Sequence, residues 1–381
     1  MSAPRPVPPL DLAAEREAVG PALEEAVLRV VRSGRYVQGP EVESFEHAFA
    51  ELCGVEHAVA VSSGTDALLL GLKALGVGPG DHVVTSPFSF FASAGAIAWA
   101  GAVPLFADVD PETGLLDPDA VAAELAKRAK RDGSTRCLLP VHLYGQMCDV
   151  ASLRRLADEH GLALLEDAAQ AHGATRDGAA PGAVGDAAAF SFYPTKNLGA
   201  AGEGGLVMTR DAEVAARLRR LRDQGMAQKY QHAALGTNAR MHEIQAAVLA
   251  TKLPHLAGWN DRRREIAARY DDAFAASDAV RPLRVEPGAV HAYHQYTVRC
   301  APGVDRDAAL AGLVKDGIGA AVHYPRPIHL QEAAAAWGYG PGSLPAAEAL
   351  AREVLCLPIH PFLAAADVER VAERVLWHCE G

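Results

Sequence analysis

The stretch SFYPTKNLGAAGEGG, residues 191–205, places a single lysine between an apolar strand-like run and a loop with four glycines. A lysine that acts as a nucleophile must lose its proton near neutral pH, and partial burial or a nearby cation lowers its pKa toward that range. Glycines permit positive φ and a close approach of the backbone. The stretch has neither the P-loop motif nor the G-x-G-x-x-G of a dinucleotide site. We therefore interpret Lys196 as a candidate catalytic residue at a strand end.

Short apolar runs precede and follow this stretch, and such runs are typical of strands that are buried on both faces. Helical patterns separate most of the first five runs, whereas the last two are close enough to be neighbours joined by the glycine loop. This alternation predicts an α/β fold with a mostly parallel sheet of about seven strands. The runs are residues 57–63, 81–86, 103–109, 136–144, 162–167, 187–193 and 204–209.

The pattern changes after about residue 250. A long charged helix is predicted over 252–276, a strand over 291–301, a helix over 306–318 and a proline-broken loop over 321–330, and two helices around Pro358 and Pro361 end the chain. We predict a large domain over 1–250 and a smaller α+β domain over 251–381. The proline-rich residues 1–10 are expected to form an extended arm and not a signal peptide.

Composition excludes several classes of protein. Lys and Arg number 36 against 47 Asp and Glu, which gives a net charge of −11. This balance argues against binding to nucleic acid or to an anionic membrane surface, and no apolar stretch is long enough to span a membrane. Six scattered cysteines without a C-x-x-C pair indicate reduced thiols and a cytoplasmic location. The cysteines and histidines lack metal-ligand spacing, so no metal site is predicted.

Ligands of open α/β sheets bind at the carboxyl ends of the strands, and the first predicted strand is followed by SSGTDAL. In this turn, Ser62, Ser63, Gly64 and Thr65 open a helix. Free N–H groups and the positive end of the helix dipole would suit a phosphate there. The alternative is an ordinary N-cap by Ser63 or Thr65.

Two further strand ends carry candidates. SPFSFFAS crowds Phe88, Phe90 and Phe91 at a junction, where they either belong to the core or stack on a flat ligand. EDAAQAHG places Glu166 and Asp167 at the end of a buried strand. An acid there is costly unless it is paired, so it either caps a helix or faces a cationic nitrogen.

Together these signals describe one ligand. A phosphate site, an aromatic plate, a carboxylate for a ring nitrogen and a lysine for an aldehyde are what pyridoxal 5′-phosphate requires. At about 4 Å and an effective dielectric near 20, the carboxylate and the ring nitrogen would attract each other by about 4 kcal/mol.

Six segments together resemble the DegT/DnrJ/EryC1/StrS family of pyridoxal-phosphate-dependent sugar aminotransferases. They occur in the family's order and are SSGTDALLL, EDAAQAHGA, SFYPTKNLGAAGEGG, GTNARMHEIQAAVL, AVHYPRPIHLQ and LCLPIHPFL. The resemblance extends from QGPEVESFE at 38–46 to the C-terminal helices. It implies the aspartate aminotransferase-like fold, fold type I, and a homodimer whose active sites lie at the subunit interface.

The resemblance also implies roles for single residues. Lys196 would carry the cofactor as a Schiff base and Asp167 would hold its pyridine nitrogen. The other implied cofactor contacts are Gln170 near the ring hydroxyl, Phe90 stacking on the ring, Gly64, Thr65 and Ser191 at the phosphate, and Asn238 reaching the phosphate from the partner subunit. Arg240, His323 and Tyr324 are implied in the sugar pocket. Glu203, within the glycine loop, receives no role.

The implied reaction moves an amino group from L-glutamate to a keto-sugar, with Lys196 as general base and acid. YGQMCDVASL and AVHYPRPIHL look closest to members that act on 3-keto nucleotide sugars. The expected acceptor is a UDP- or dTDP-linked 3-keto hexose or hexuronate. Such products serve surface polysaccharides or glycosylated metabolites. A 4-keto acceptor, a sugar dehydratase and a non-catalytic sugar-nucleotide-binding protein are the alternatives. The family's dehydratase branch replaces the lysine by histidine, so Lys196 favours transamination.

Overall fold

The computed structural model describes residues 5–129 and 134–381, so the first four residues of the expected N-terminal arm lie outside the described residues. The strands are β1 (His57–Val61), β2 (His82–Thr85), β3 (Val103–Phe106), β4 (Thr135–Leu139), β5 (Ala163–Asp167), β6 (Thr175–Arg176), β7 (Ala187–Ser191), β8 (Gly205–Thr209), β9 (Met226–Gln228), β10 (Gln231–His232), β11 (Val280–Pro282), β12 (Ala289–Val290), β13 (Tyr296–Cys300) and β14 (Val354–Leu357).

The helices are α1 (Leu12–Val19), α2 (Pro21–Ser33), α3 (Pro40–Cys53), α4 (Gly64–Ala74), α5 (Ala92–Trp99), α6 (Pro118–Ala129), α7 (Val150–His160), α8 (Ala212–Leu221), α9 (Glu243–Lys252), α10 (Leu256–Phe274), α11 (Arg306–Lys315), α12 (Pro345–Glu353) and α13 (Ala365–Glu380). Local signals set their ends. The Asp149 carboxylate, for example, caps α7 by accepting from Ser152 N–H at 3.0 Å, and Gly161 ends that helix in the left-handed conformation. No helix of the described ranges is both long and apolar enough to cross a membrane.

The central sheet has the strand order β1-β8-β7-β5-β4-β2-β3. The strands from β7 to β3 pair in parallel, whereas β8 lies antiparallel between β1 and β7. Because β8 is reversed relative to both neighbours, β1 runs in the same direction as β7. The carboxyl ends of six strands therefore meet at one edge of the sheet, where open α/β folds bind their ligands.

Both faces of this sheet are covered, because helices flank it on each side. Leu164 and Leu165, adjacent in β5, belong to apolar clusters on opposite faces. This accounts for the continuous apolar strands of the sequence and confirms the predicted α/β class and seven-stranded, mostly parallel sheet. Each predicted strand exists but is shorter than its apolar run, and the last two, β7 and β8, are neighbours as expected.

The C-terminal part forms a second sheet, β11-β13-β14, packed on α10, α11 and α13 around its own apolar cluster. One expectation for the tail was incomplete. The two predicted helices are α12 and α13, but the strand β14 lies between them. Its residues Val354–Leu357 form a short buried apolar run, and periodicity alone does not separate such a run from a buried helix segment. The domain division at residue 250 stays a prediction.

Candidate active site

A cavity of about 890 Å³ lies at the carboxyl ends of β1, β5 and β7. A volume of this size suits a cofactor together with part of a substrate. The predicted site residues Gly64, Thr65, Phe90, Asp167, Gln170, Ser191, Lys196, His323 and Tyr324 all line it. Asn238 and Arg240 do not.

The start of α4 forms one end of the cavity. Ser63 is the N-cap, since its hydroxyl accepts from Asp66 N–H at 3.1 Å, so of the two capping candidates Ser63 is correct and Thr65 is not. The cap also lines the cavity together with Gly64 and Thr65. The first-turn N–H groups of a helix have no intrahelical partners, and this end can therefore hold an anion.

Ser191 lies close to the N-terminus of α4. A Cβ on Gly64 would lie 2.5 Å from Ser191 Cβ, so only glycine fits where α4 approaches the end of β7. Gly205, in β8, pairs with Val61 of β1 and with Ser191 of β7. A Cβ on Gly205 would lie 2.1 Å from Ser63 O. The glycines thus permit close packing that brings the α4 amides and the Ser191 hydroxyl to one place.

Glu166 and Asp167 point to opposite faces of the sheet, as neighbours on a strand must. Asp167 lines the cavity, where Ser93 Oγ donates to it at 2.7 Å and Ala169 N–H at 3.2 Å. Burial raises the pKa of Asp167, although the Ser93 and Ala169 hydrogen bonds and the charge of Lys196 act in the opposite direction. A buried carboxylate of this kind favours a cationic partner.

Glu166 has a structural environment. It is fully buried and accepts from Gly182 N–H at 3.0 Å, Gly185 N–H at 2.9 Å and His142 Nε2 at 2.8 Å. His142 Nδ1 accepts from Cys148 N–H at 3.2 Å, so Nε2 carries the ring proton and donates it to Glu166. Of the two acids at this strand end, Asp167 alone lines the cavity.

Lys196 is half-buried and lines the cavity. The loss of surrounding water lowers its pKa to about 8, although the negative charge of Asp167 acts in the opposite direction. The next residue, Asn197, is buried and fixes the backbone. Its Nδ2 donates to Asn260 Oδ1 at 2.9 Å and to Ala292 O at 2.8 Å. A lysine with such a pKa has an appreciable neutral fraction at physiological pH and can act as a nucleophile or base.

The three phenylalanines of SPFSFFAS have different environments. Phe88 is completely buried in the core, and Phe91 stacks on Trp337 with ring centroids 6.2 Å apart. Phe90 is 60% exposed and lines the cavity, with its ring 6.2 Å from that of Tyr324. Phe90 is thus the member that is free to stack on a ligand.

Gln170, Tyr324 and His323 form one hydrogen-bonded side of the cavity. Gln170 Nε2 donates to Tyr324 Oη at 3.2 Å, and Gln170 Oε1 accepts from Tyr144 N–H at 2.6 Å. Tyr144 Oη in turn donates to the carbonyl of His323. Burial and the charge of Lys196 lower the pKa of His323, so its imidazole is neutral at pH 7.

Asn238 and Arg240 lie outside this cavity on a surface segment beside the β9–β10 hairpin. Arg240 Nε donates to Asn238 Oδ1 at 2.9 Å, and its Nη1 donates to Asp223 at 3.0 Å. Ala239 O accepts from Ser62 N–H at 3.1 Å, so the segment follows the edge of the sheet next to α4. A single chain does not bring these two predicted residues into its own site.

Sequence reasoning missed residues that support the site: Ser93, Asn197, Arg263 and His294. Only Asn197 had a signal, since it directly follows Lys196. The others are brought to the cavity by α5, α10 and the loop before β13.

The whole arrangement can hold a flat ligand with three groups. An anionic group fits at α4 and Ser191, a carbonyl carbon at the Lys196 amine, and a basic ring nitrogen at Asp167. Pyridoxal 5′-phosphate has these three groups, so the residues present fit this cofactor.

Residues 18–376 match the DegT/DnrJ/EryC1/StrS aminotransferase family. A pleiotropic regulatory protein of Geobacillus stearothermophilus is 43% identical over 373 residues, which cover 97% of both chains. The dTDP-3-amino-3,4,6-trideoxy-α-D-glucose transaminase of Streptomyces venezuelae is 46% identical over 369 residues, 97% of this chain and 95% of that enzyme.

Among solved structures, S. venezuelae DesV in complex with a ketimine intermediate matches with a TM-score of 0.94 and 45% identity, over 99% of this chain and 100% of that chain. The fold therefore occurs in a protein crystallised with a reaction intermediate.

Proposed function

The chain belongs to the DegT/DnrJ/EryC1/StrS aminotransferase family, and from that premise we propose that it moves an amino group from L-glutamate to a nucleotide-linked 3-keto sugar. It is an aminotransferase whose cofactor is pyridoxal 5′-phosphate. The observation that carries the proposal is the convergence of Lys196, Asp167, Ser191 and the start of α4 on one cavity. When bound, the cofactor supplies an electron sink for the charge that develops at the carbon bearing the amine.

Lys196 is the proton carrier of the proposed reaction. Its pKa of about 8 lets the neutral amine take a proton from Cα of the amino donor, and the resulting ammonium would give that proton to the former carbonyl carbon of the cofactor within the same half of the reaction. The second half, with the keto-sugar, would run these two transfers in reverse. Asp167 would hold the ring nitrogen in its protonated form, with its own position fixed by Ser93 at 2.7 Å. Gln170 is assigned to the ring hydroxyl and Phe90 to the ring face.

The phosphate of the cofactor is assigned to the N–H groups of Gly64 and Thr65 and to the Ser191 hydroxyl. Helix N-termini favour phosphate through their free donors and dipole. The contact between Gly64 and Ser191 keeps these donors together. This end therefore orients the cofactor, while Lys196 and Asp167 carry the chemistry.

The acceptor is assigned to the opening beside Phe90 and Tyr324. A groove of about 700 Å³ shares Ser89, Phe90 and Tyr324 with the cofactor cavity and continues along Pro325, Arg326 and Ile328. We propose that the sugar lies near His323 and Tyr324, with the nucleotide in the groove. The 46% identical transaminase named for a dTDP-3-amino sugar supports C3 as the aminated carbon. UDP- or dTDP-linked hexoses and hexuronates both fit this assignment.

We also propose a homodimer in which Asn238 and Arg240 act in the partner's site. Asn238 follows the sheet edge beside α4 but stays outside its own cavity. Tyr230 and Leu235, on the same surface segment, are 81% and 98% exposed. These two side chains would be covered if the segment packed against a second subunit. The dimer would act in the cytoplasm, in amino-sugar synthesis for a surface polysaccharide or a glycosylated metabolite.

The alternatives fit the site less well. A sugar dehydratase of this family would carry histidine in place of Lys196. A non-catalytic sugar-nucleotide-binding protein would not need the lysine of lowered pKa opposite a buried Asp167. An aminotransferase for 4-keto sugars uses the same residues, and the identity of the acceptor decides between it and the 3-keto enzyme.

The amino donor is tested by the absorption of the purified holoenzyme. We expect L-glutamate to bleach the yellow absorption band of the lysine-bound cofactor, and 2-oxoglutarate to appear in equal amount. Lys196→Ala should give no 2-oxoglutarate. A holoenzyme whose band is unchanged by L-glutamate would contradict the proposed donor.

A further inference from the structure

Arg263, on α10, is a buried cation without a matching anion in the described residues. It is only 3% exposed and lines the cofactor cavity. Its Nη1 donates to Ile359 O at 2.6 Å and to Tyr293 O at 3.2 Å, while its Nε has no hydrogen-bond partner. Glu15, whose charge acts on Arg263, is itself held by Lys252 at 2.5 Å. The guanidinium thus retains unused donors in a water-poor place.

The position of Arg263 relative to Lys196 follows from a chain of contacts. Asn260 lies one turn before Arg263 on α10 and accepts from Asn197, the neighbour of Lys196. Residues three apart share a helix face. On the other side, Tyr293 O accepts from Arg263, and His294, the next residue, contacts Asn197 Oδ1 at 3.2 Å. Arg263 and Lys196 therefore line one cavity, and contacts of Asn197 and His294 connect the segments that carry them.

His294 adds no competing positive charge. Asn197 Nδ2 donates to two oxygens, so Asn197 Oδ1 is an acceptor and His294 Nδ1 must donate to it. Burial and the nearby charges of Lys196 and Arg263 keep the pKa of His294 well below its usual range. The imidazole is neutral, and Nε2 is the nitrogen without a proton. Arg263 is thus the fixed positive charge of this part of the cavity.

A buried guanidinium costs free energy unless an anion and hydrogen-bond acceptors complete it. Its planar fork of N–H donors matches a carboxylate. Leu10, Leu357 and Ile359 line the same cavity and provide apolar walls, where such a contact is stronger than in water.

We propose that Arg263 binds a carboxylate of the amino-acid donor and so selects the donor class. This inference rests on the proposed aminotransferase function and adds the residue that recognises the donor. The nucleotide sugar does not require Arg263, because its assigned groove runs past Phe90 and Tyr324.

The test is calorimetric titration of the holoenzyme with glutarate, a dicarboxylate that has no amine and does not react. Arg263→Gln should weaken glutarate binding about 10- to 100-fold, the effect of losing a hydrogen-bonded charge contact. Arg264→Gln is the matched control, because Arg264 is adjacent on α10, contacts Asp261 and does not line the cavity. We expect that control to bind glutarate within about twofold of the wild type. The cofactor band of Arg263→Gln should still respond to a 3-amino nucleotide sugar.

Equal glutarate affinity in Arg263→Gln and Arg264→Gln would overturn the inference, as would a wild type that binds no glutarate. If Arg263→Gln does not fold, the crystal structure of the wild type with glutarate decides. A carboxylate on the free nitrogens of Arg263 supports the proposal, and glutarate bound elsewhere refutes it. A wild-type cofactor band that ignores L-glutamate, despite glutarate binding at Arg263, contradicts the donor of the proposed function and leaves the carboxylate site in place.

Discussion

At the residue scale, the chemistry depends on one amine and one carboxylate whose pKa values are shifted in the same cavity. Burial lowers the pKa of Lys196 to about 8 and raises that of Asp167. Each shift disfavours the charged form, and the charge of each partner partly restores it. The pair is therefore prepared for a ligand that uses the lysine as a nucleophile and gives the aspartate a cation.

The lysine pKa predicts how fast the cofactor-free protein takes up pyridoxal 5′-phosphate. Only the neutral amine reacts, so the rate constant should rise about tenfold per pH unit below pH 8 and then level off. Absorbance followed from pH 6.5 to 10.5 after mixing gives this profile. A rate that continues to rise beyond pH 10 would show that the lysine has an ordinary pKa.

Asp167→Asn removes the charge assigned to the ring nitrogen while keeping the shape of the side chain. We expect kcat/KM to fall by about 10²- to 10³-fold, the range of a lost charge contact of about 3–4 kcal/mol. Steady-state kinetics with saturating cofactor measure it. A loss smaller than about fivefold would contradict the role of Asp167.

Glu166→Gln is the neighbouring control and should act on stability instead. Glu166 is buried and accepts hydrogen bonds from Gly182 N–H, Gly185 N–H and His142 Nε2. An amide in its place has one oxygen fewer to accept them, so the unfolding free energy should fall by about 1–3 kcal/mol. Urea unfolding measures this loss, and kcat/KM of the folded variant should stay far above that of Asp167→Asn. Unchanged stability, or a kcat/KM as low as that of Asp167→Asn, would refute the assignment.

The sequence offered Lys196 and Asp167 as candidates, because strand ends carry the ligands of an α/β sheet and these residues lie at the ends of apolar runs. The residue pattern by itself did not separate Asp167 from Glu166, because that choice depends on which face of the sheet the cavity occupies; only the family resemblance favoured Asp167. Arg263 and Ser93 were missed because their positions at the cavity arise only when α10 and α5 pack.

At the scale of elements, the site depends on how closely α4 approaches the ends of β7 and β8. Gly64 and Gly205 leave no room for a Cβ against Ser191 and Ser63. The sequence suggested that the glycines of residues 199–205 allow a tight turn. The contact between Gly205 and Ser63 shows that Gly205 is also needed for close packing at the anion site. By contrast, β14 escaped prediction because VLCL directly continues the apolar pattern of α12.

Gly64→Ala should push α4 away from Ser191. We expect a loss of about 1–3 kcal/mol in unfolding free energy from overpacking, together with weaker cofactor binding. Gly78→Ala is the control, since nothing lies within 4 Å of its added Cβ and its φ is not positive. Fluorescence titration with pyridoxal 5′-phosphate compares the two variants. Equal cofactor affinity in the two variants would contradict the assignment of the anion site to α4.

At the scale of the whole molecule, the proposed dimer explains why Asn238 stays outside its own cavity. The sequence resemblance implied a contribution across the interface, but a single chain cannot complete it.

Mixed dimers test this arrangement. We expect Lys196→Ala and Asn238→Ala to be weakly active alone, whereas dimers re-formed from a mixture should regain about a quarter of wild-type activity. Half of the dimers are then mixed, and each mixed dimer has one intact site of two. Mixing that restores no activity would place Asn238 in its own subunit's site, or outside the site altogether.

The most direct test of the sugar aminotransferase assignment is the reverse reaction, followed by mass spectrometry. Holoenzyme would be incubated with 2-oxoglutarate and a panel of 3-amino and 4-amino nucleotide sugars, including dTDP-3-amino-3,4,6-trideoxy-α-D-glucose, with Lys196→Ala as the blank. We predict glutamate and the matching keto-sugar from a 3-amino substrate, and neither product from the blank. A cofactor-loaded enzyme that forms no glutamate from any amino sugar of the panel would contradict the assignment.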